Sequence, residues 1–325
     1  MYPEVRLRRL RRTPSIRNLF DMPFPEPQKF VWPVFVVEGQ KRCEPIPSMP
    51  GQFRYSIDCL LKALEGVVAQ GVTSILLFGQ TEGEKDPIGS GAYDRKGIVQ
   101  QAIPAIKRAF PDLVVMTDVC LCAYTDHGHC GPLDRNGQVD NDAAIELLAK
   151  VALSHAEAGA DVVAPSAMMD GQILAIRECL DDHDMTDTLL MAYSTKFASS
   201  MYGPFRDAEN SAPSAGDRKG YQASYRNLRA ALRESEFDED EGADILMVKP
   251  SLFYLDVLQK LRESSNMPVA AYNVSGEYSM LIATAERGWG DLKEMVRESI
   301  VAMDRAGADL FISYWASRYN EIFRS

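Results

Sequence analysis

Two lysines in this sequence close apolar runs: Lys196 ends Tyr-Ser-Thr-Lys, and Lys249 ends Met-Val-Lys before a proline. An ammonium is costly to desolvate, so a lysine at the end of a buried strand needs a reason to be there. Burial and a neighbouring positive charge both lower an amine's pKa, leaving a free base that can attack a ketone and form a Schiff base. A buried salt bridge or a snorkelling side chain would explain either lysine alone, but two at successive strand ends fit that reading less well.

A second constellation is Asp118-Val-Cys-Leu-Cys-Ala-Tyr-Thr-Asp-His-Gly-His-Cys130. Strand alternation predicts Cys120 and Cys122 on one face, with the glycine-containing turn returning Cys130 to them. Three thiolates suit Zn²⁺ and leave its fourth position open for water or substrate. His127 and His129 are candidate further ligands or proton carriers. A redox switch or plain buried thiols are the competing readings. After Lys196 the chain carries Arg206 and Arg218 in a segment rich in Gly, Ser and Asp, where guanidinium groups could clamp a carboxylate or simply lie in solvent.

The elements that must position these groups show as short runs rich in Val, Ile and Leu: 31–38, 72–79, 113–121, 161–166, 189–194, 244–249, 268–275 and 309–315. Such continuous runs predict parallel strands covered on both faces. Helical periodicity lies between them, for example over 140–158 and 292–306. Eight strands alternating with helices predict a (β/α)₈ TIM barrel over residues 31–325. The echo Gly-Ala-Asp before the strands at 161, 244 and 309 fits helix ends that turn directly into strands. Sequential strands five and six place the two lysines roughly 5 Å apart across the sheet. The long segments 80–97 and 197–220 follow strands, which in a barrel puts them on the catalytic face as candidate lids.

Residues 1–30 fall outside the repeat and read as an extended N-terminal arm. Six arginines (Arg6, Arg8, Arg9, Arg11, Arg12 and Arg17) crowd its start, although the whole chain of 325 residues carries a net charge of −11. The arm is therefore expected to dock on an acidic surface, such as another subunit. The acidic balance argues against nucleic-acid binding, and no apolar run approaches the roughly 18 residues needed to cross a membrane. Six cysteines in a chain this long do not suggest a disulfide framework. With no secretion signal, a cytoplasmic location is expected.

At these residues the chain resembles the porphobilinogen synthase (5-aminolevulinate dehydratase) family. The segments that carry the resemblance are Asp118 to Cys130, Met191-Ala-Tyr-Ser-Thr-Lys-Phe-Ala-Ser-Ser-Met-Tyr-Gly-Pro-Phe-Arg206, Met247-Val-Lys-Pro and Tyr272-Asn-Val-Ser-Gly-Glu-Tyr. The resemblance implies condensation of two 5-aminolevulinate molecules through Schiff bases on Lys249 and Lys196. Ser275 and Tyr314 would then hold one carboxylate, and Arg206 and Arg218, with Gln222 nearby, the other. Phe205 and Tyr272 join the implied substrate-binding set, and Asp118 orients substrate. The resemblance further implies catalytic zinc on Cys120, Cys122 and Cys130, because members that lack zinc carry Asp-rich segments there. An activating magnesium near Glu234 and a homo-octamer held by the arms complete the expectation. A class I aldolase would need only one lysine, and a zinc-holding scaffold would need neither.

Overall fold

The computed structural model describes residues 2–209 and 211–324. Its sheet contains ten strands: β1 (Phe30–Val37), β2 (Cys43–Pro45), β3 (Phe53–Tyr55), β4 (Ser74–Gln80), β5 (Val114–Val119), β6 (Val162–Pro165), β7 (Leu189–Lys196), β8 (Ile245–Lys249), β9 (Val269–Asn273) and β10 (Leu310–Ser313). Strands β1 and β4 to β10 run parallel in sequence order, and β10 pairs back onto β1 through Phe30↔Phe311 and Val31↔Ile312. The barrel is closed, and each of the eight expected strands is present. The extra hairpin β2–β3, which the sequence reading did not anticipate, extends the sheet beyond the C-terminal half of β1.

Side-chain caps begin the connecting helices where the sequence offers an acid. Asp140 accepts from the Ala143 N–H to start Asn141–Glu157, and Asp291 accepts from the Glu294 N–H to start Leu292–Arg305. The Gly-Ala-Asp echo has a structural cause. Gly159, Gly242 and Gly307 adopt positive φ just after helices, which releases the chain toward the next strand. Asp161, Asp244 and Asp309 then accept from the N–H groups of Val115, Leu190 and Val269, at the starts of β5, β7 and β9. Each carboxylate thereby ties its own strand to the one before it, away from the lysine-bearing ends.

The arm is less extended than its prolines suggested. A 3₁₀ turn spans Leu7–Arg11, and a short helix spans Pro14–Asn18, where Thr13 accepts from the Ile16 N–H. Thr-Pro is a helix start, with proline tolerated in the first turn where its missing N–H costs nothing. Near residue 25 the chain joins the barrel. Pro25 and Pro27 are buried, the Tyr319 hydroxyl donates to the Pro25 carbonyl, and Phe24 meets Phe323 at 5.6 Å between ring centroids.

Candidate active site

Lys196 and Lys249 end β7 and β8 as register partners on the barrel's C-terminal face, and each is 5% exposed. Strand β7 runs to Lys196 through a register shift between Ala192 and Thr195, which brings the two lysines level. Ring faces enclose the Lys249 Nζ: Tyr272 at 4.3 Å, Tyr193 at 4.9 Å, Phe205 at 5.0 Å and Tyr202 at 5.4 Å from their centroids. Burial, then the positive charge of Lys196, lowers the Lys249 pKa to about 7, so a large share of it is free amine at neutral pH. The Lys196 Nζ donates to the Ser166 carbonyl and lies 5.4 Å from the same Tyr193 ring. Tyr193 thus stands between the two amines. Asp118, near the end of β5, is raised to about 6 by burial, against the opposing pull of both lysines.

The three cysteines converge, although by a different route from strand alternation. Residues two apart on one face of a strand are separated by about 6.6 Å, yet the Cys120 and Cys122 sulfurs are 3.4 Å apart. Strand β5 stops at Val119, and Leu121 accepts from the N–H groups of Tyr124 and Thr125, so a turn folds the two thiols together. The Cys120, Cys122 and Cys130 sulfurs lie within 4.8 Å of one another, all buried, and form a group that could hold a metal ion. Hydrogen bonds from the other two thiols, first from Cys120, lower the Cys130 pKa well below the ordinary thiol value. The same contacts, first that from Cys122, push the Cys120 pKa well above the thiol value, so thiolate character settles on Cys130. A buried sulfur triad is a donor set that soft or borderline metals favour. Neither histidine joins this group. The His129 ring nitrogens face the Tyr221 hydroxyl and the Ala215 carbonyl, and His127 Nε2 faces the Pro87 carbonyl.

The segment after Lys196 folds over the lysines as a 3₁₀ turn (Ser200–Tyr202) and a short helix (Gly203–Glu209). Its Phe205 N–H donates to Ser275 Oγ at 3.0 Å, and Ser275 Oγ contacts the Met201 carbonyl at 3.4 Å. Ser275 lies past the end of β9 as the first residue of the next helix, so it holds the lid from below. Gly276 makes this approach feasible, since a Cβ there would stand 2.4 Å from the Met201 carbonyl oxygen. Phe205 packs edge-on against Phe78 and close to Phe35, beneath which Tyr314 stacks. Farther along, the Arg218 guanidinium donates to the carbonyls of Gly128 and Ser211, pinning the lid to the cysteine loop. Burial and then the charge of Arg218 lower the pKa of Arg206. A bound carboxylate would relieve that repulsion. Glu234 stands apart, at a cavity of about 440 Å³ shared with Asp170, Asp238 and Glu241. Desolvation, then Asp170 and Glu241, raises its pKa.

Several buried polar atoms around the lysines have no hydrogen-bond partner among the described residues: Asp118 Oδ1, Arg206 Nε, both amide atoms of Gln222, and the Tyr314 hydroxyl. Buried polar groups left unpaired cost about 1–3 kcal/mol each, so such a cluster marks a place shaped for a polar ligand. Tyr193 and Glu209 were missed in the sequence. Tyr193 follows an apolar run and reads as core. Glu209 reads as a surface acid, yet it is buried with its Oε2 3.8 Å from Cys122 Sγ.

A closed barrel with paired lysines at adjacent strand ends, an acid that feels both their charges and a three-thiol group has the equipment of a carbonyl-condensing lyase. Residues 4–322 match the family model for delta-aminolevulinic acid dehydratase, and the chain belongs to that family. Relatives of that name are 51% identical over 97% of this chain and 96% of theirs in Methanothermobacter thermautotrophicus, and 49% identical over 96% and 95% in Bacillus subtilis. A crystal structure of the porphobilinogen synthase of Toxoplasma gondii ME49, in complex with the reaction product porphobilinogen, superposes with a TM-score of 0.95. It is 44% identical, and the match covers 98% of this chain and 91% of that one.

Proposed function

We propose that this chain condenses two molecules of 5-aminolevulinate into porphobilinogen, with loss of two waters. The observation that carries this reading is the level pair of buried lysines, one of them with its pKa lowered to about 7 by burial and its neighbour's charge. A single-lysine aldolase would leave Lys196 without work, and a scaffold would have no use for a desolvated amine.

In this reading Lys249 binds the ketone of the substrate that becomes the propionate side of the product. The carboxylate of that substrate meets the Tyr314 hydroxyl and Ser275, whose Oγ hydrogen would turn from the Met201 carbonyl to the ligand. Lys196 holds the second substrate, and its carboxylate draws Arg206 and Arg218 together, with the unpaired Gln222 amide beside them. Phe205 and Tyr272 exclude water from the first imine. Asp118, with its pKa near 6, gives and takes protons between the two amines. Cys120, Cys122 and Cys130 would hold zinc, which when bound polarises the second substrate. Glu234 is assigned to an activating magnesium, because the crowded carboxyls around it gain from a nearby cation.

Purified protein supplied with zinc and 5-aminolevulinate should yield a pyrrole with a free α-position, read by its colour reaction with an aromatic aldehyde. Consumption of substrate without pyrrole would reject the assignment.

The arm is assigned to homo-oligomer assembly, with an octamer expected. Among its exposed side chains are Tyr2, Val5, Leu7, Leu10, Leu19, Phe20 and Met22, a run of apolar surface interleaved with arginines that suits an acidic partner of the same sequence. Deleting residues 1–20 should shift the light-scattering mass to smaller species. An unchanged mass would give the arm another role. None of the described helices is long and apolar enough to cross a membrane.

A further inference from the structure

Beside the cysteine loop lies a small chamber that the proposed reaction leaves unused. It is lined by Gly79 of β4, Val99 of the helix Ile98–Ala109, Asp118 of β5, and Cys120, Ala123 and Tyr124 of the cysteine loop. Val151 and His155 of the helix Asn141–Glu157, with Glu209 of the lid, complete the wall. Its free volume is about 10 Å³. That is close to the smallest space that holds one water, and a buried water also needs two to four polar partners.

The walls supply them. Asp118 Oδ1 and His155 Nε2 are both buried, and neither has a hydrogen-bond partner among the described residues. The other nitrogen of His155, Nδ1, lies 3.0 Å from Thr117 Oγ1, which fixes the ring's orientation. Burial lowers the His155 pKa to about 3, so the ring is neutral and has one nitrogen to donate and one to accept. Glu209 and Tyr124 stand on the same walls and can serve as further partners.

We propose that the chamber holds one ordered water bridging Asp118 Oδ1 and His155 Nε2, which makes His155 a positioning residue for Asp118. The bridge would hold the carboxyl in one rotamer while its other oxygen faces the reacting groups. The helix Asn141–Glu157, on the outside of the barrel, would thereby help aim a group on the inside. The inference rests on Asp118 taking part in the reaction, and the test separates the two ideas.

A high-resolution crystal structure of the parent protein should show a single water within hydrogen-bonding distance of both atoms; a dry chamber overturns the proposal. His155→Phe should lower kcat for 5-aminolevulinate about tenfold, as loss of such an indirect partner commonly does, with little change in KM. His155→Gln, which can still reach a water, should recover most of that loss. Val151→Ile, which adds one methyl to the chamber wall and touches no hydrogen bond, should expel the water and lower kcat in the same way. It keeps the test decisive if His155→Phe fails to fold. Normal kcat in both His155→Phe and Val151→Ile, alongside an inactive Asp118→Asn, would overturn the positioning role and leave Asp118's own role standing. Normal turnover in Asp118→Asn would instead reject the role of Asp118.

Discussion

Lys249→Met should fold at least as well as the parent and lose turnover by more than about a thousandfold. The loss follows from the chemistry: covalent capture holds the ketone at effective molarities of about 10⁵ M or more, and no other amine lies where Lys249 does. The folding expectation follows from the electrostatics. A shift of the amine from 10.5 to about 7 means a preference for the neutral form on the order of 5 kcal/mol in the folded chain. The unfolded chain keeps its lysine protonated up to a higher pH, so the buried amine weakens folding most below pH 7, and the penalty fades as pH rises toward 10.5. Methionine fills similar space among Tyr193, Tyr202, Phe205 and Tyr272 without that penalty. With limiting 5-aminolevulinate, borohydride should fix a stable mass on the peptide containing Lys249 in the parent and in Lys196→Ala, and none in Lys249→Met. The trapping rate in the parent should fall about tenfold per pH unit below about 7, as the amine protonates. Label at neither lysine, or an active Lys249→Met, would reject the mechanism.

Removing the metal should abolish activity while sparing the fold. The barrel closes through backbone pairing from β10 to β1, and the cysteine loop takes no part in that closure. Chelation is therefore expected to lower turnover at least about 100-fold, the scale of losing one well-placed electrostatic group in a catalytic site, while far-ultraviolet circular dichroism stays unchanged. Added zinc should restore the rate, and Cys130→Ala should not respond to it. Magnesium added to the zinc-loaded protein should raise the rate in the parent and leave Glu234→Ala unmoved. Full activity after complete metal removal would show that the three thiols serve another purpose. Unfolding on chelation would show that they are structural.

Much of the architecture was legible in the order of residues. Strands buried on both faces must be apolar throughout, so eight runs of Val, Ile and Leu announced the barrel, and a lysine ending two of them announced the buried pair of amines at adjacent strand ends. Three cysteines in eleven residues announced a convergent thiol group that could hold a metal ion, without requiring that the local geometry be right. Composition and local periodicity suffice where a signal lies within a few neighbouring residues.

What only the tertiary structure decided depends on contacts between residues far apart in the chain. The shift between Ala192 and Thr195 that levels the two lysines arises from the pairing of β7 with β8, and no residue type marks it. The Gly-Ala-Asp echo was readable through its glycines, but its aspartates act on strands some 40 to 54 residues away, which no local pattern reports. Cys120 and Cys122 meet through a turn and not through a strand, because β5 ends where its partner β6 ends, at Val119 opposite Pro165. Glu209 and His155 look like an exposed acid and a helix-end base in sequence. Both are buried because the lid closes downward on the barrel and the helix Asn141–Glu157 packs against it from outside, and burial turns an ordinary titratable side chain into a group that needs a partner.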